Sequence, residues 1–85
     1  MTSLAETVMV CKVRSTAMRG HADIEQIFDV VNCPGIVVIC ISGLGEDGEL
    51  VAKSQVYEVG GHQFGNADDA LLAWADLEKV LQNHD

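Results

Sequence analysis

Basic residues are scarce in this chain. It has 5 Lys and Arg against 13 Asp and Glu in 85 residues, which gives a formal net charge of −8. Such a charge opposes the approach of phosphate backbones, anionic membrane surfaces and acidic substrates, because each carries the same sign as the protein's own field. The composition therefore argues against direct nucleic-acid or membrane binding and favours a basic protein partner.

Long apolar runs and a basic leader are also missing. No apolar run approaches the ~18 residues that a membrane span needs, and residues 1–6 have no basic segment of the kind that begins a secretory signal. The three cysteines, Cys11, Cys33 and Cys40, contain no CxxC pair, and an odd number cannot close into a complete set of internal disulfides. We therefore expect a cytoplasmic protein with three reduced thiols.

Residues for metal or catalytic chemistry are few and widely spaced. The six His and Cys residues include no two at metal-finger spacing, so we expect no metal site and no cofactor. Cys11 and Cys40 lie in apolar segments, where a thiol behaves as a small hydrophobe, and Cys33 is predicted at a helix C-terminus, whose dipole raises a thiol pKa. His62 is the best candidate catalytic residue, yet no partner for it is fixed by the sequence. A small Cys/His enzyme is therefore disfavoured.

Three glycines, Gly43, Gly45 and Gly48, have the G-x-G-x-x-G spacing of dinucleotide-binding loops. That motif works because a helix N-terminus follows it, whereas the residues after Gly48 have strand character. Glu46 and Asp47 would also repel phosphates. This segment is therefore interpreted as a hairpin turn, and it lacks the ligand pattern of a calcium loop.

The first half of the chain predicts a strand, a loop and a helix. Residues 7–14 are rich in β-formers, and residues 15–20 have no periodicity. Apolar residues then recur at helical spacing in Ile24, Ile27, Phe28 and Val31, with acidic residues between them, and Pro34 ends this predicted helix.

The second half predicts two long strands and a terminal helix. Residues 35–42 are apolar on both faces, which is typical of a central strand, and residues 49–59 form its hairpin partner after the turn at 43–48. The stretch 60–65 is rich in turn residues and has room for a short strand. Asn66 is the predicted N-cap of a helix whose apolar stripe is Ala70, Trp74, Leu77 and Leu81.

These elements predict one domain over residues 1–85 in the order β-α-β-β-α. The fold class is α+β, a two-layer α/β sandwich, with a three- or four-stranded mixed sheet and both helices on one face. The first two strands would be parallel. The apolar residues on the other face of the central strand would be covered by long side chains or by a partner. The residues expected in the core are Ile24, Ile27, Phe28, Val31, Ile39, Ile41, Trp74, Leu77 and Leu81.

The last third of the chain resembles HicB-type antitoxins. The resemblance covers a strand at 56–59, a glycine turn beginning at Gly61, and a helix opening with Asp68, Asp69, Ala70 and Leu71. It implies a partial double-stranded-RNA-binding fold and a partner that is an RNA-acting toxin. The glycine spacing and the predicted upstream helix depart from the family pattern.

The leading functional hypothesis is a small acidic interaction module. It would inhibit or neutralise a basic, nucleic-acid-binding protein, as antitoxins, nucleic-acid mimics and phage anti-CRISPR proteins do, because an acidic field speeds encounter with a basic groove. The alternative is a structural subunit that oligomerises through an apolar sheet face. The candidate partner-binding residues lie on the predicted hairpin and terminal helix, and they are Glu46, Asp47, Glu49, Asp68, Asp69 and Asp76.

Overall fold

The computed structural model describes residues 8–20 and 22–82. Their secondary structure is β1 (Cys11–Arg19), β2 (Asp23–Val30), β3 (Ile36–Leu44), β4 (Leu50–Val59), β5 (His62–Phe64) and α1 (Ala67–Gln82). The strands form one antiparallel sheet in the order β1-β2-β3-β4-β5. The interpretations of residues 1–7, His21 and His84 lie outside the described residues.

The predicted β-α-β-β-α sandwich is wrong, because the segment predicted as the first helix is strand β2. Along β2, Ile24, Phe28 and Val30 alternate with acidic residues at period two, whereas Ile24, Ile27 and Phe28 also fit helical spacing. Strand β2 pairs with β1 on one side and β3 on the other, so both of its edges are hydrogen-bonded. A segment that is hydrogen-bonded along both edges must be extended, so the strand periodicity is the one that the fold uses.

The predicted parallel pair and the predicted loop at 15–20 are also wrong. Strand β1 continues through residue 19 and then turns directly into β2. Gly20 lies in this turn with φ of 67°, a left-handed conformation that glycine adopts without steric cost. A tight turn leaves no crossover helix, so β1 and β2 are antiparallel.

The predictions for the second half of the sheet are confirmed. Strand β3 is central, the residues after Leu44 form the hairpin turn, and β4 follows at Leu50. Gly60 and Gly61, with φ of 57° and 85°, form the two-residue connection to the short strand β5. Two successive positive φ values are those of a type I′ hairpin turn, which fits the twist of its strands.

Helix α1 begins at the predicted cap. The side-chain Oδ1 of Asn66 accepts a hydrogen bond from the backbone N of Asp69 at 2.9 Å, which satisfies one of the free amides of the first turn. Trp74 packs against the core and donates from Nε1 to the backbone O of Pro34 at 2.7 Å. The lower part of the predicted stripe is not buried, since Leu77 is 37% and Leu81 is 59% exposed.

The core lies at one end of the molecule, where α1 contacts β3, β4 and β5. Of the residues predicted to be buried, Phe28 and Trp74 are half-buried and pack against this core, whereas Val31 is 58% exposed because it follows β2 in a turn. Ile24, Ile27, Ile39 and Ile41 are half-buried. The fully buried apolar residues are Val30, Cys33, Ile36, Val38, Val59, Ala70 and Leu71.

Candidate functional site

The two faces of the sheet differ in charge. Directly paired residues of neighbouring strands project to the same face, so the register assigns each strand residue to the helix-bearing face, on which α1 packs, or to the helix-free face. Ile36 and Val38 mark the helix-bearing face, because both belong to the core. On this assignment, every paired Asp, Glu, Lys and Arg of the strands lies on the helix-free face. Arg14 and Lys53 lie in bulges without a register partner, and they reach the same face through their contacts with Asp29 and Asp23.

Ion pairs cross the strands of the helix-free face. Arg14 donates from Nε to Oδ2 of Asp29 at 3.1 Å and makes a second contact with the same carboxylate through Nη2. The Nη1 of Arg19 lies 3.1 Å from Oε2 of Glu25. The Nζ of Lys53 lies 2.7 Å from Oδ1 of Asp23.

The pair between Arg14 and Asp29 changes the ionisation of both groups. The hydrogen bond from Arg14 lowers the pKa of Asp29, and the charge of Lys12 acts in the same direction. The same hydrogen bond raises the pKa of Arg14. Both side chains are about half exposed, so the pair defines local geometry more than it contributes to stability.

The central strand also places apolar residues on the helix-free face. Val37, Ile39 and Ile41 alternate with the core residues of β3 and are half-buried although no helix covers them. Lys53 extends over Gly43 at the end of this row. Lys53 therefore covers the end of the row, and Ile39 lies between its cross-strand neighbours Ile27 and Val56.

The helix-free face carries no net charge. Its basic residues, Lys12, Arg14, Arg19 and Lys53, are matched in number by four acids, Asp23, Glu25, Asp29 and Glu58. Lys79 on α1 is the single basic residue left in the chain. The net negative charge of the described residues therefore belongs to the β3–β4 turn and α1.

The hairpin acids are Glu46, Asp47 and Glu49, which lie in or beside the turn between β3 and β4. All three are exposed, and none forms a salt bridge with a described residue. The turn is closed by backbone hydrogen bonds between Gly45 and Glu49 at 2.7 Å and between Gly48 and Gly45 at 3.0 Å. The three acids therefore lie on one closed turn at the tip of the sheet, and their side chains are exposed to an external cation.

The helix acids are Asp68, Asp69 and Asp76, and they too are exposed and lack a described salt-bridge partner. Asp68 and Asp69 lie in the first turn of α1, where the helix dipole favours a negative charge. Asp69 has a structural role as well, because its Oδ2 accepts a hydrogen bond from Nδ2 of Asn66 at 3.1 Å. Asp68 and Asp76 have no such local role.

The structure does not bring the two sets into one cluster. The hairpin acids lie at the end of the sheet where β3 finishes, whereas the middle of α1 lies at the end where β3 begins, since Trp74 contacts Pro34. The nine residues of β3 separate these ends by about 27 Å. The ends of β3 are farther apart than the Debye length of about 8 Å at physiological salt, so charges at opposite ends of this strand are largely screened from each other.

Cys33 is buried and Cys40 is half-buried, whereas Cys11 and His62 are exposed. Burial raises the pKa of Cys33, and burial together with Cys11 raises the pKa of Cys40, so neither thiol is activated as a nucleophile. Cys33 lies in a turn, not at the predicted helix end, so burial and not a helix dipole is the cause. Over residues 8–20 and 22–82 there is no cavity, no group of metal-ligating side chains and no helix long and apolar enough to cross a membrane.

Sequence reasoning found the acids but missed how the charges are separated. The signal was present in the strands, because Arg14, Lys53 and the acids of β2 occur at positions that alternate with apolar residues. The strand pairing is needed to interpret this pattern, because bulges between Val13 and Ser15 and between Ile41 and Ser42 change which face of the sheet the following residues occupy.

In comparisons with known proteins, no family model, no curated protein and no solved structure matches this chain.

Proposed function

We propose that this chain is a small acidic interaction module that occupies the basic surface of a nucleic-acid-acting protein and so blocks it. The proposal assigns it no catalytic residue, cofactor or direct nucleic-acid contact, and places it in the cytoplasm with reduced thiols. Antitoxins, nucleic-acid mimics and phage anti-CRISPR proteins act in this way as classes.

The separation of charge carries the proposal. Three of the four basic residues of the sheet, Arg14, Arg19 and Lys53, are ion-paired on the helix-free face, whereas the hairpin acids and the helix acids have no described cationic partner. An unpaired carboxylate can bind an external Lys or Arg without first breaking an internal ion pair. The net charge of the chain is therefore available for binding.

The length of the sheet between the hairpin acids and the middle of α1 supports a groove-shaped partner. The ends of β3 lie about 27 Å apart, which equals the length of roughly eight base pairs at 3.4 Å each. A basic groove that normally holds a short duplex would contact the hairpin acids at one end and the helix acids at the other. Asp76 and Glu46 would then lie over different parts of that groove.

Affinity capture from the native host, followed by mass spectrometry, tests the proposal. The bait is the full chain, and the comparison variants are Glu46→Gln/Asp47→Asn/Glu49→Gln for the hairpin and Asp68→Asn/Asp76→Asn for the helix. Asp69 is left intact because it bonds to the cap residue Asn66. A basic nucleic-acid-acting protein captured by the wild type, and lost with at least one acidic set, is the expected result.

A matched control uses an acid outside both sets. Glu58→Gln removes one negative charge from the helix-free face, where Glu58 forms no described salt bridge. We expect it to leave capture unchanged. Capture that survives removal of both acidic sets, or that is lost equally with Glu58→Gln, contradicts the proposal.

A further inference from the structure

Helix α1 carries large apolar residues on its outer side, away from the sheet. Its inner side is packed, since Ala70 and Leu71 are fully buried and Trp74 packs against the core. Leu72 and Val80 lie on the opposite side and are 54% and 63% exposed. They are about 12 Å apart along the helix axis, because an α-helix rises about 1.5 Å per residue.

An unpaired acid lies between these two residues. Asp76 is one helical turn from Leu72 and one from Val80, so the three side chains follow each other along the outer side, and we call them the outer stripe. Asp76 is exposed and forms no salt bridge with a described residue. Single exposed aliphatic residues are common on protein surfaces, but here two of them flank one unpaired carboxylate. The outer stripe is therefore a combined apolar and acidic surface.

We propose that the outer stripe binds a groove of the basic partner that has apolar pockets for Leu72 and Val80 and a Lys or Arg for Asp76. This inference rests on the proposed function and specifies the chemistry of the partner where it meets α1. A helix that binds in a groove uses anchor residues that recur about once per turn on one face, and the outer stripe has this spacing. The aliphatic residues hold the complex by leaving water, whereas the carboxylate selects a basic rim.

The charge around the outer stripe favours the same occupant. Besides Asp76, the exposed residues of α1 include Asp68 and Asp69 against one basic residue, Lys79. This surface therefore repels a phosphate backbone or an anionic membrane. A second copy of this chain is also a poor occupant, because two facing stripes would bring their acids together.

Two synthetic peptides test this chemistry without the natural partner. One has lysine and leucine at the spacing of an amphipathic helix, and the other has alanine in place of each leucine, so the two have the same length and net charge. Titration of the full chain, followed by its backbone NMR signals, measures the affinity for each peptide and locates the contact. We expect the Lys–Leu peptide to bind at least about tenfold more tightly, with the largest shifts at Leu72, Asp76 and Val80. Equal affinities, or shifts centred on the exposed apolar residues of the sheet, contradict the inference.

Serine substitutions on α1 test which side of the helix makes the contact. Leu72→Ser and Val80→Ser should each weaken binding of the Lys–Leu peptide at least about fivefold and leave binding of the Lys–Ala peptide nearly unchanged. Leu81→Ser is the matched control, because Leu81 is 59% exposed but lies on the inner side of the same helix, beyond the end of the sheet. It should leave both affinities unchanged. An equal effect of all three substitutions, or no effect of the two in the outer stripe, overturns the inference.

Neutralising the acid of the outer stripe separates charge attraction from apolar contact. Asp76→Asn should weaken binding of both peptides by a similar factor, because both offer lysines to this carboxylate. The tighter binding of the Lys–Leu peptide should persist in this variant. A variant that binds both peptides as tightly as the wild type does would contradict the assigned contact.

The protein captured in the test of the proposed function provides a second measurement. Leu72→Ser and Val80→Ser should each raise its dissociation rate several-fold and leave its association rate nearly unchanged, because charge controls the encounter and apolar contact controls release. A capture that yields no basic protein contradicts the proposed function, whereas equal affinity for the two peptides contradicts the role of the outer stripe, so the two failures are distinct. Unchanged dissociation rates in both variants would overturn the inference even where capture succeeds.

Discussion

Lys53 crosses strand β3 directly above Gly43 and places its Nζ 2.7 Å from Oδ1 of Asp23 on strand β2. A Cβ at position 43 would lie 2.8 Å from Cε of Lys53, so the absence of a side chain there opens the path of the lysine. The glycine that sequence analysis assigned to a turn motif therefore belongs to the end of β3 and serves an ion pair.

Gly43→Ala should separate Lys53 from Asp23 with little loss of stability. The added methyl group meets the flexible end of a lysine, which can move, and an exposed ion pair contributes about 1 kcal/mol or less. Urea denaturation at a fixed protein concentration measures the change in the free energy of unfolding. In a Lys53→Ala background, Gly43→Ala should not lower the free energy of unfolding. A loss of stability that persists in this background would show that contact with the lysine is not its cause.

Arg14→Gln should raise the pKa of Asp29 toward its ordinary value, because the hydrogen bond that lowers it is removed. The lowered pKa means that this pair stabilises the fold above the unfolded pKa of Asp, about 3.9, and that the contribution is lost as pH falls through the folded pKa. The wild type and the variant should therefore differ in stability at neutral pH and converge in acid. Carboxyl NMR titration of Asp29 checks the shift, and an unchanged pKa would contradict the assigned pair.

Trp74→Phe should destabilise the fold by about 1 to 2 kcal/mol. The variant keeps an aromatic ring on α1 but leaves the carbonyl of Pro34 without its donor, and a smaller ring fills the site less well. Circular dichroism during urea unfolding measures the loss. Tyr57→Phe is the control. It removes the hydrogen bond that the exposed Gln55 donates to the Tyr57 hydroxyl, and it should lower the free energy of unfolding by less than Trp74→Phe does. A larger loss in Tyr57→Phe would argue against Trp74 as the contact that holds α1 to the sheet.

Asn66→Ala should cost about 1 kcal/mol through loss of the N-cap of α1. Asn66→Ser retains an oxygen that can accept the amide hydrogen of Asp69, so most of the stability should return. Thermal unfolding of the two variants separates capping from side-chain packing. If serine does not restore stability, the cap is not the relevant interaction.

Sequence analysis predicted those elements in which the local residue pattern and the long-range packing favour the same structure. Strand β3 is β-branched on both faces, the glycines at 60 and 61 allow one tight turn, and Asn66 can accept the amide of Asp69. In each case, local conformation and long-range packing favour the same structure.

The errors occurred where local periodicity had two solutions. Ile24 and Phe28 of β2 satisfy both helical and strand spacing, and only the pairing of β2 with β1 and β3 excludes the helix. Leu77 and Leu81 satisfy a helical stripe, yet the sheet beneath α1 ends before them. The acids could be named from sequence, but their separation from the basic residues depends on register and bulges.

The salt dependence of association with the captured partner tests the central claim most directly, namely that the unpaired acids on the hairpin and helix bind a basic protein surface. Association should slow steeply as salt rises while dissociation changes little, because exposed charges are screened over about 10 Å at 0.1 M salt. Neutralising the hairpin acids or Asp68 and Asp76 should flatten that dependence and leave the thermal midpoint nearly unchanged. An association rate that neither salt nor either acidic set alters would contradict the account.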